Sequence, residues 1–151
     1  HKEMNRNFIF AFILLAALCT VNAVPHVLLK RGISFEDCLI PGVETITVKI
    51  SPNDPPVSKQ PEKFSVFGTL TNVNITAHES TLLIGYFNMK TAKPIGQAYI
   101  QKFTQSFAAG YPFSIEADSV PTPQLPDKYS IVLLIEDPKV QGTIAGCAAG
   151  A

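Results

Sequence analysis

Hydrophobic and polar residues alternate with a period of two along much of this chain. Between residues 43 and 50, Ile46, Val48 and Ile50 alternate with threonine and lysine side chains. This pattern predicts a β-strand with one buried face and one solvated face. Residues 81–88 differ because they are apolar on both sides, which predicts a central strand buried on both faces or a strand that lines an apolar space.

Segments rich in proline and turn-forming residues separate the predicted strands. Four prolines lie between residues 51 and 61, a second proline-rich loop is predicted for 120–127, and Lys93-Pro94 predicts a turn. No segment has the periodicity of a convincing amphipathic helix. We therefore predict an all-β fold of seven or eight short strands, with a β-sandwich as the first choice and a barrel as the alternative. The predicted strands are residues 43–50, 64–70, 73–75, 81–88, 95–103, 113–118, 129–135 and 143–147.

The N-terminal residues have the pattern of a targeting segment. Residues 1–3 precede the first methionine, and we interpret them as an upstream translation artefact. Residues 4–23 contain Arg6, an apolar run and a small-residue exit, which is typical of a secretory signal peptide cleaved after Ala23. The apolar run, residues 8–18, is shorter than the roughly 20 residues of a membrane span, which disfavours the alternative of a signal anchor.

A dibasic pair, Lys30-Arg31, follows the predicted signal peptide closely. Processing proteases of the kexin type cut after such pairs, so residues 24–31 are interpreted as a possible pro-segment. The alternative is that the pair consists of two solvated charges. Residues 32–151 would then form a single domain.

Charge is scarce in residues 32–151. These residues contain 8 lysines, no arginine and 11 carboxylates, so their formal net charge is −3. The chain therefore lacks the basic patch that binding to nucleic acid or to an anionic membrane surface requires. About 16% of these residues are charged, against roughly 25% in an average globular protein, which leaves an excess of apolar residues.

Two cysteines, Cys38 and Cys147, remain once Cys19 leaves with the signal peptide. An even count in a secreted chain favours a disulfide, with two free thiols or an intermolecular pair as the alternatives. A bridge between them would close a loop of about 108 residues and remove roughly 4–5 kcal/mol of unfolded-state entropy in the chain-entropy model.

Candidates for catalysis are few. The only histidine of residues 32–151, His78, lies in a polar stretch that predicts an exposed turn, whereas a catalytic triad needs a base oriented by a third group in a pocket. The acidic pairs Glu36-Asp37 and Glu136-Asp137 are interpreted as solvated strand ends rather than as glycosidase carboxylates. No cysteine or histidine spacing matches a zinc site, and no glycine-rich phosphate loop occurs. We therefore predict no catalytic residue, no metal and no cofactor, which disfavours a secreted hydrolase.

Asn74-Ile75-Thr76 matches the acceptor sequence for N-glycosylation. In a secreted chain this match predicts a glycan on Asn74 and places Asn74 at the surface. The alternative is an unused sequon inside a strand.

Taken in order along the chain, several segments resemble the ML family of secreted lipid-recognition proteins. This family includes the lysosomal Niemann–Pick type C sterol carrier and the fungal phosphatidylglycerol/phosphatidylinositol transfer proteins. The resemblance covers nearly all of residues 32–151, but the family's Cys-Pro pair is replaced by Gln105-Ser106, so one internal disulfide of the family cannot form. The resembling segments are Phe35–Cys38, Ile50–Pro56, Gln105–Gly110, Phe113–Ile115, Leu125–Tyr129 and the strand ending at Cys147.

The resemblance implies an immunoglobulin-like sandwich of two antiparallel sheets with an apolar cavity between them that holds a lipid. A lipid tail requires a lining with few polar groups, and burial of each acyl CH₂ group contributes about 0.8 kcal/mol. Phe107 stands at the apolar position of the family motif, and Phe113 stands near a family pocket aromatic. Strand parity adds further candidates, and for each candidate the alternative is a plain core residue, because core positions outnumber pocket positions in any domain. The predicted lipid-binding residues are Phe64, Val66, Tyr86, Ile100, Phe103, Phe107, Phe113, Ile115, Val132 and Leu134.

These features lead to one main functional hypothesis and one alternative. The main hypothesis is a secreted, monomeric protein, extracellular or in the vacuolar lumen, that encloses a phospholipid or sterol and exchanges it through transient membrane contact without covalent catalysis. The alternative is a secreted β-sandwich interaction module, such as an effector or receptor-binding protein, with a filled core and no lipid ligand.

Overall fold

A computed structural model describes residues 32–136 and 143–151 of the chain. These residues form ten strands and no helix that is long and apolar enough to cross a membrane. The predictions of an artefact at 1–3, a signal peptide at 4–23 and a pro-segment at 24–31 lie outside the described residues. The strands are β1 (Phe35–Glu36), β2 (Glu44–Thr45), β3 (Thr47–Ser51), β4 (Glu62–Thr69), β5 (Thr81–Asn88), β6 (Lys93–Pro94), β7 (Tyr99–Lys102), β8 (Pro112–Val120), β9 (Tyr129–Glu136) and β10 (Ile144–Gly150).

The strands form two sheets that pack face to face. The larger sheet has seven strands in the order β1-β10-β9-β5-β6, with β2 also paired to β10 and β7 also paired to β5. The smaller sheet has three strands in the order β3-β4-β8. All pairings are antiparallel except the short parallel pair of β10 and β2. The prediction of an all-β, immunoglobulin-like sandwich is therefore confirmed, and the barrel alternative is wrong.

The predicted strand at residues 43–50 crosses from one sheet to the other. Its first part, β2, pairs with β10 in the larger sheet, and its second part, β3, pairs with β4 in the smaller sheet. Ile46 lies at the crossing, where its backbone N–H donates a hydrogen bond to the Cys147 carbonyl at 3.3 Å. Because this side chain is only 2% exposed, it anchors the crossing in the core.

Other sequence predictions also differ from the structure. Lys93-Pro94, predicted as a turn, forms β6 beside the end of β5, and the turn lies just before it. The strand predicted at 73–75 is reduced to one bridge between Ile75 and Phe107. Strand β1 was not predicted, because a two-residue strand carries no periodic pattern.

Buried apolar side chains lie on both faces of the larger sheet. We use the name inter-sheet core for the cluster between the two sheets, which takes in one face of β4, β8, β5 and β9. We use the name outer cluster for the group on the opposite face of the larger sheet, where the chain around Cys38 covers β5, β9 and β10. The outer cluster consists of Cys38, Leu83, Phe87, Val132, Leu134, Cys147 and Ala149, with Ile40, Val43, Ala98 and Ile144 packed against it.

A disulfide joins Cys38 to Cys147, with their Cα atoms 6.0 Å apart. The predicted intramolecular bridge is thus present, in place of free thiols or an intermolecular pair. It ties the segment after β1 to the middle of β10, and both half-cystines are fully buried in the outer cluster.

Candidate functional site

The inter-sheet core contains most of the predicted lipid-binding residues. These side chains are less than 9% exposed, and they come from both sheets. Phe107 is half-buried and packs against the same cluster from the segment before β8. The six predicted residues buried there are Phe64, Val66, Tyr86, Phe103, Phe113 and Ile115.

Period-two alternation explains why these side chains meet. In β4, Phe64 and Val66 point into the core while Ser65 between them points to solvent and donates a hydrogen bond to Glu116. Directly paired residues share a face of a sheet, so Val66 in β4 lies beside Ile115 in β8. Strand β8 repeats the same alternation, with exposed residues between buried ones.

Three of the predicted lining residues do not face the space between the sheets. Val132 and Leu134 belong to the outer cluster, because Ile131, Leu133 and Ile135 occupy the inward positions of β9. The inward orientation predicted for Val132 and Leu134 is therefore wrong. The reason is that β9 is apolar on both faces, so its sequence does not distinguish them.

Ile100 is the third residue that the structure places elsewhere. It lies on the short edge strand β7, where its side chain is 49% exposed. It pairs with Leu83, which belongs to the outer cluster, so Ile100 lies on the outer side of the larger sheet. The predicted position of Ile100 in the core is also wrong.

Three phenylalanines form one end of the inter-sheet core. The Phe103 and Phe107 rings each pack edge-on against the Phe113 ring, at centroid distances of 6.2 and 6.3 Å. Two backbone hydrogen bonds of 2.9 Å between Phe107 and Ile75 hold the Phe107 segment in place. Since Phe107 is only half-buried, this aromatic end of the core reaches the protein surface.

Two tyrosines form the opposite end of the core. Tyr86 on β5 and Tyr129 on β9 have ring centroids 6.3 Å apart. Burial raises the pKa of the half-buried Tyr129, and the negative charge of Asp54 raises it further. Tyr86 is more deeply buried, and burial raises its pKa to about 12, with the Thr122 hydroxyl opposing and the Glu62 charge adding to the shift.

A buried carboxylate lies beside this tyrosine end. Glu62, the first residue of β4, is 0% exposed. Its Oε1 accepts a hydrogen bond from the Asn53 N–H at 3.0 Å, and its Oε2 accepts from the Asn53 side-chain amide at 3.0 Å and from the Val57 N–H at 3.4 Å. These donors satisfy the carboxylate from the side of the proline-rich loop.

Thr122 completes the polar groups at the tyrosine end. It follows β8 and is 4% exposed, and its backbone carbonyl accepts a hydrogen bond from the Lys59 N–H at 3.0 Å. The hydroxyls of Tyr86 and Thr122 lie near each other, but neither has a partner that meets hydrogen-bond geometry. We call these two groups the hydroxyl pair.

Sequence reasoning missed Thr122 and Glu62. Both lie in or next to the proline-rich segments that pattern analysis interprets as solvated loops. A charged residue that opens an apolar strand, as Glu62 does, carries no local signal that it will be buried. Both residues become buried because residues 52–61 and 121–128 meet at one end of the sandwich.

The other candidate chemical groups lie at the surface or apart from the core. His78 is exposed in a turn, as predicted, and its backbone N–H donates to the Phe103 carbonyl at 2.7 Å. Glu36 and Asp37 are exposed, but Glu136 is buried, so its interpretation as a solvated strand end is wrong; Asp137 lies outside the described residues. Within residues 32–136 and 143–151, no group of three or more His, Cys, Asp or Glu side chains could hold a metal ion.

Asn74, the predicted glycosylation site, is exposed. Its side-chain Oδ1 accepts a hydrogen bond from the Ala109 N–H at 2.8 Å. An N-linked sugar is attached through the amide nitrogen, so this hydrogen bond is compatible with a glycan, which stays a prediction.

No protein-family model and no curated protein matches this chain. Among solved structures, the chain is similar to a crystal structure of chicken MD-1 complexed with lipid IVa. The two chains are 11% identical, the alignment covers 78% of this chain and 86% of the MD-1 chain, and the TM-score is 0.49.

Proposed function

We propose that this chain is a secreted protein that binds a lipid between its two sheets and exchanges it with membranes without covalent catalysis. The observation that carries the proposal is the continuous inter-sheet core, which extends from the phenylalanine end to the tyrosine end. A hydrocarbon chain or ring system needs an enclosure of this chemical composition.

The energetics of this arrangement favour an apolar ligand. Burial of each CH₂ group of the ligand contributes about 0.8 kcal/mol, so a long hydrocarbon supplies the main part of the binding free energy. The small number of polar groups in the core limits the desolvation cost. Phe107, half-buried at the phenylalanine end, is the side chain that we propose moves to admit the lipid.

Secretion is supported by the disulfide and by the sequence of the first 23 residues. Disulfides persist in oxidising compartments, and the bridge here is fully buried. The pattern of residues 4–23 agrees with entry into the secretory pathway.

The first experiment is mass spectrometry of organic extracts from the protein purified after secretion by eukaryotic cells. We expect a lipid to co-purify in a fixed molar ratio, and we expect the delipidated protein to take up fluorescent phospholipid or sterol and to transfer it between vesicles. If no lipid is recovered and neither probe is taken up, the proposal is wrong. A filled core that serves an interaction module would then be the better interpretation.

A pair of matched variants locates the ligand. Val66 and Val132 are both 0% exposed, but Val66 faces the inter-sheet core and Val132 faces the outer cluster. We expect Val66→Phe to reduce lipid uptake at least tenfold, because the larger ring occupies the space of the ligand, and Val132→Phe to leave uptake unchanged. Circular dichroism shows whether each variant is folded. Equal uptake by the two folded variants would contradict a lipid between the sheets.

A further inference from the structure

The hydroxyl pair is an unusual feature of an otherwise apolar layer. Tyr86 is 5% exposed and Thr122 is 4% exposed, and neither side-chain oxygen makes a hydrogen bond of acceptable geometry, although the Thr122 hydroxyl lies close enough to oppose the rise in the pKa of Tyr86. Buried polar groups in native proteins nearly always have partners. Two buried hydroxyls that make no well-formed hydrogen bond therefore keep donor and acceptor capacity that a third polar group beside them can satisfy.

The surroundings restrict the charge of that third group. The nearest buried charge is the carboxylate of Glu62, and its oxygens already accept hydrogen bonds from Asn53 and Val57. Every described lysine side chain is partly or fully exposed, so a buried anion here would lie near a carboxylate with no buried cation to offset it. A phosphate or carboxylate head group is thereby disfavoured.

A neutral hydroxyl satisfies both members of the pair. A hydroxyl group donates one hydrogen bond and accepts others, and the side chains of Tyr86 and Thr122 have the same capacity. One ligand hydroxyl can accept a hydrogen bond from one side chain and donate to the other. An aliphatic group cannot do so.

We propose that Tyr86 and Thr122 bind the hydroxyl group of a neutral lipid, such as a long-chain alcohol or a sterol. The apolar part of the lipid then extends along the inter-sheet core toward Phe103 and Phe113. This inference rests on the proposed function and adds to it the polar group that is recognised, the residues that recognise it and the orientation of the ligand.

The test compares three probes with the same eighteen-carbon skeleton in the delipidated protein: oleyl alcohol, cis-9-octadecene and oleate. Each is titrated as a competitor of one fluorescent lipid. We expect oleyl alcohol to bind about fivefold to tenfold more tightly than octadecene, the size of effect expected for one or two buried neutral hydrogen bonds. We expect oleate, in its ionised form, to bind more weakly than oleyl alcohol.

Variants of the hydroxyl pair show where the preference arises. Tyr86→Phe should abolish the preference for oleyl alcohol over octadecene, and Thr122→Val should reduce the preference. Tyr129→Phe is the matched control, because this neighbouring tyrosine is only half-buried, and it should retain the preference. Thr122→Val serves as the second variant should Tyr86→Phe fail to fold.

The outcomes separate this inference from the proposed function. If octadecene and oleyl alcohol bind equally well, the hydroxyl pair holds only water, and the inference is overturned while lipid binding stands. Tighter binding of oleate, or a preference that persists in Tyr86→Phe, also overturns it. If neither the fluorescent lipid nor any of the three probes binds, the proposed function itself fails.

Discussion

Gly146 lies where β10 passes closest to the chain that crosses between the sheets. A Cβ atom at this position would come within 2.9 Å of Ile46 Cγ2 and 3.2 Å of Leu70 Cδ2. Both neighbours are only 2% exposed, so neither has free space to move into. The glycine is required here for its lack of a side chain.

We expect Gly146→Ala to lower the free energy of unfolding by about 1–3 kcal/mol, the usual cost of inserting a methyl group into a packed core. Urea denaturation measures the change. In an Ile46→Ala background the cost should fall, because the closest contacting methyl group is gone. An equal loss of unfolding free energy in both backgrounds would show that the Ile46 side chain does not clash with the added methyl group.

Tyr86 gives a prediction about alkaline pH. Its pKa rises from 10.0 to about 12, with burial as the main cause, so the folded protein keeps the phenolic proton at pH values where the unfolded chain loses it. Stability supplied by this group is complete below pH 10 and is lost as the pH rises from 10 toward 12. We expect the unfolding free energy to decline less steeply in this range for Tyr86→Phe than for the wild type, as measured by urea denaturation.

At neutral pH the same variant removes a buried hydroxyl without a partner. Tyr86→Phe should therefore be no less stable than the wild type in the lipid-free protein, since an unsatisfied group costs about 1–3 kcal/mol. A marked loss of stability would show that the hydroxyl has a partner in solution.

The orientation of individual side chains was predictable only where the two faces of a strand differ in polarity. Phe64 and Val66 were correctly assigned to the core because Ser65 between them marks the solvent face. Val132 and Leu134 were assigned to the wrong face because their neighbours in β9 are equally apolar. On such a strand, the face that each side chain occupies depends on the outer cluster, which is formed by residues distant in sequence.

Strand β2 is held to the turn after β4 by one side chain. The Glu44 carboxylate accepts hydrogen bonds from the Thr71 N–H at 2.8 Å, from the Thr71 hydroxyl at 2.7 Å and from the Asn72 N–H at 3.2 Å. Burial favours a higher pKa for Glu44, but these hydrogen bonds together lower it below its usual value. The carboxylate form thus links an edge of the larger sheet to the smaller sheet.

This link should depend on pH. A carboxyl group whose pKa is lowered by folding adds stability above its unfolded pKa, about 4.3, and that stability is lost as the pH falls through the lower folded value. We expect Glu44→Gln to lower the urea midpoint at pH 7 and to have a diminishing effect as the pH falls toward about 2. Glu79→Gln, at an exposed turn, is the control and should leave the urea midpoint unchanged both at pH 7 and at low pH. A constant difference at all pH values would contradict the role of the charge.

At the level of elements, long runs of strand-forming residues were predictable and short pairings were not. The bounds of β5 and β9 agree with the sequence pattern to within one residue. The sheet change at Ile46 was not predictable, because the alternation continues through it without interruption. Such a change depends on which strand each part pairs with, and that information lies in β10 and β4.

For the whole molecule, the disulfide is the main covalent constraint among the described residues. It closes a loop with a sequence separation of 109 residues. We expect the double variant Cys38→Ala/Cys147→Ala to unfold with a free energy lower by roughly 4–5 kcal/mol, because the unfolded chain regains the entropy that the loop removes. Urea denaturation of the wild type with and without reductant is the independent check. Loss of less than about 1 kcal/mol would show that the reduced chain already holds its ends together.

The same bridge determines how the protein would respond to tension. Phe35 in β1 pairs with Gly150 in β10. A force applied to the chain before Phe35 and after Gly150 therefore breaks the hydrogen bonds between these two strands one after another. The opening stops at Cys38 and Cys147, where the covalent bond carries the load. The hydroxyl pair, both tyrosines and most of the inter-sheet core lie between these cysteines in sequence, and so outside the path of the force, whereas Ala148 of the core lies within it. An oxidised molecule tethered at both sides would therefore extend by only a few residues, with the hydroxyl pair and both tyrosines undisturbed.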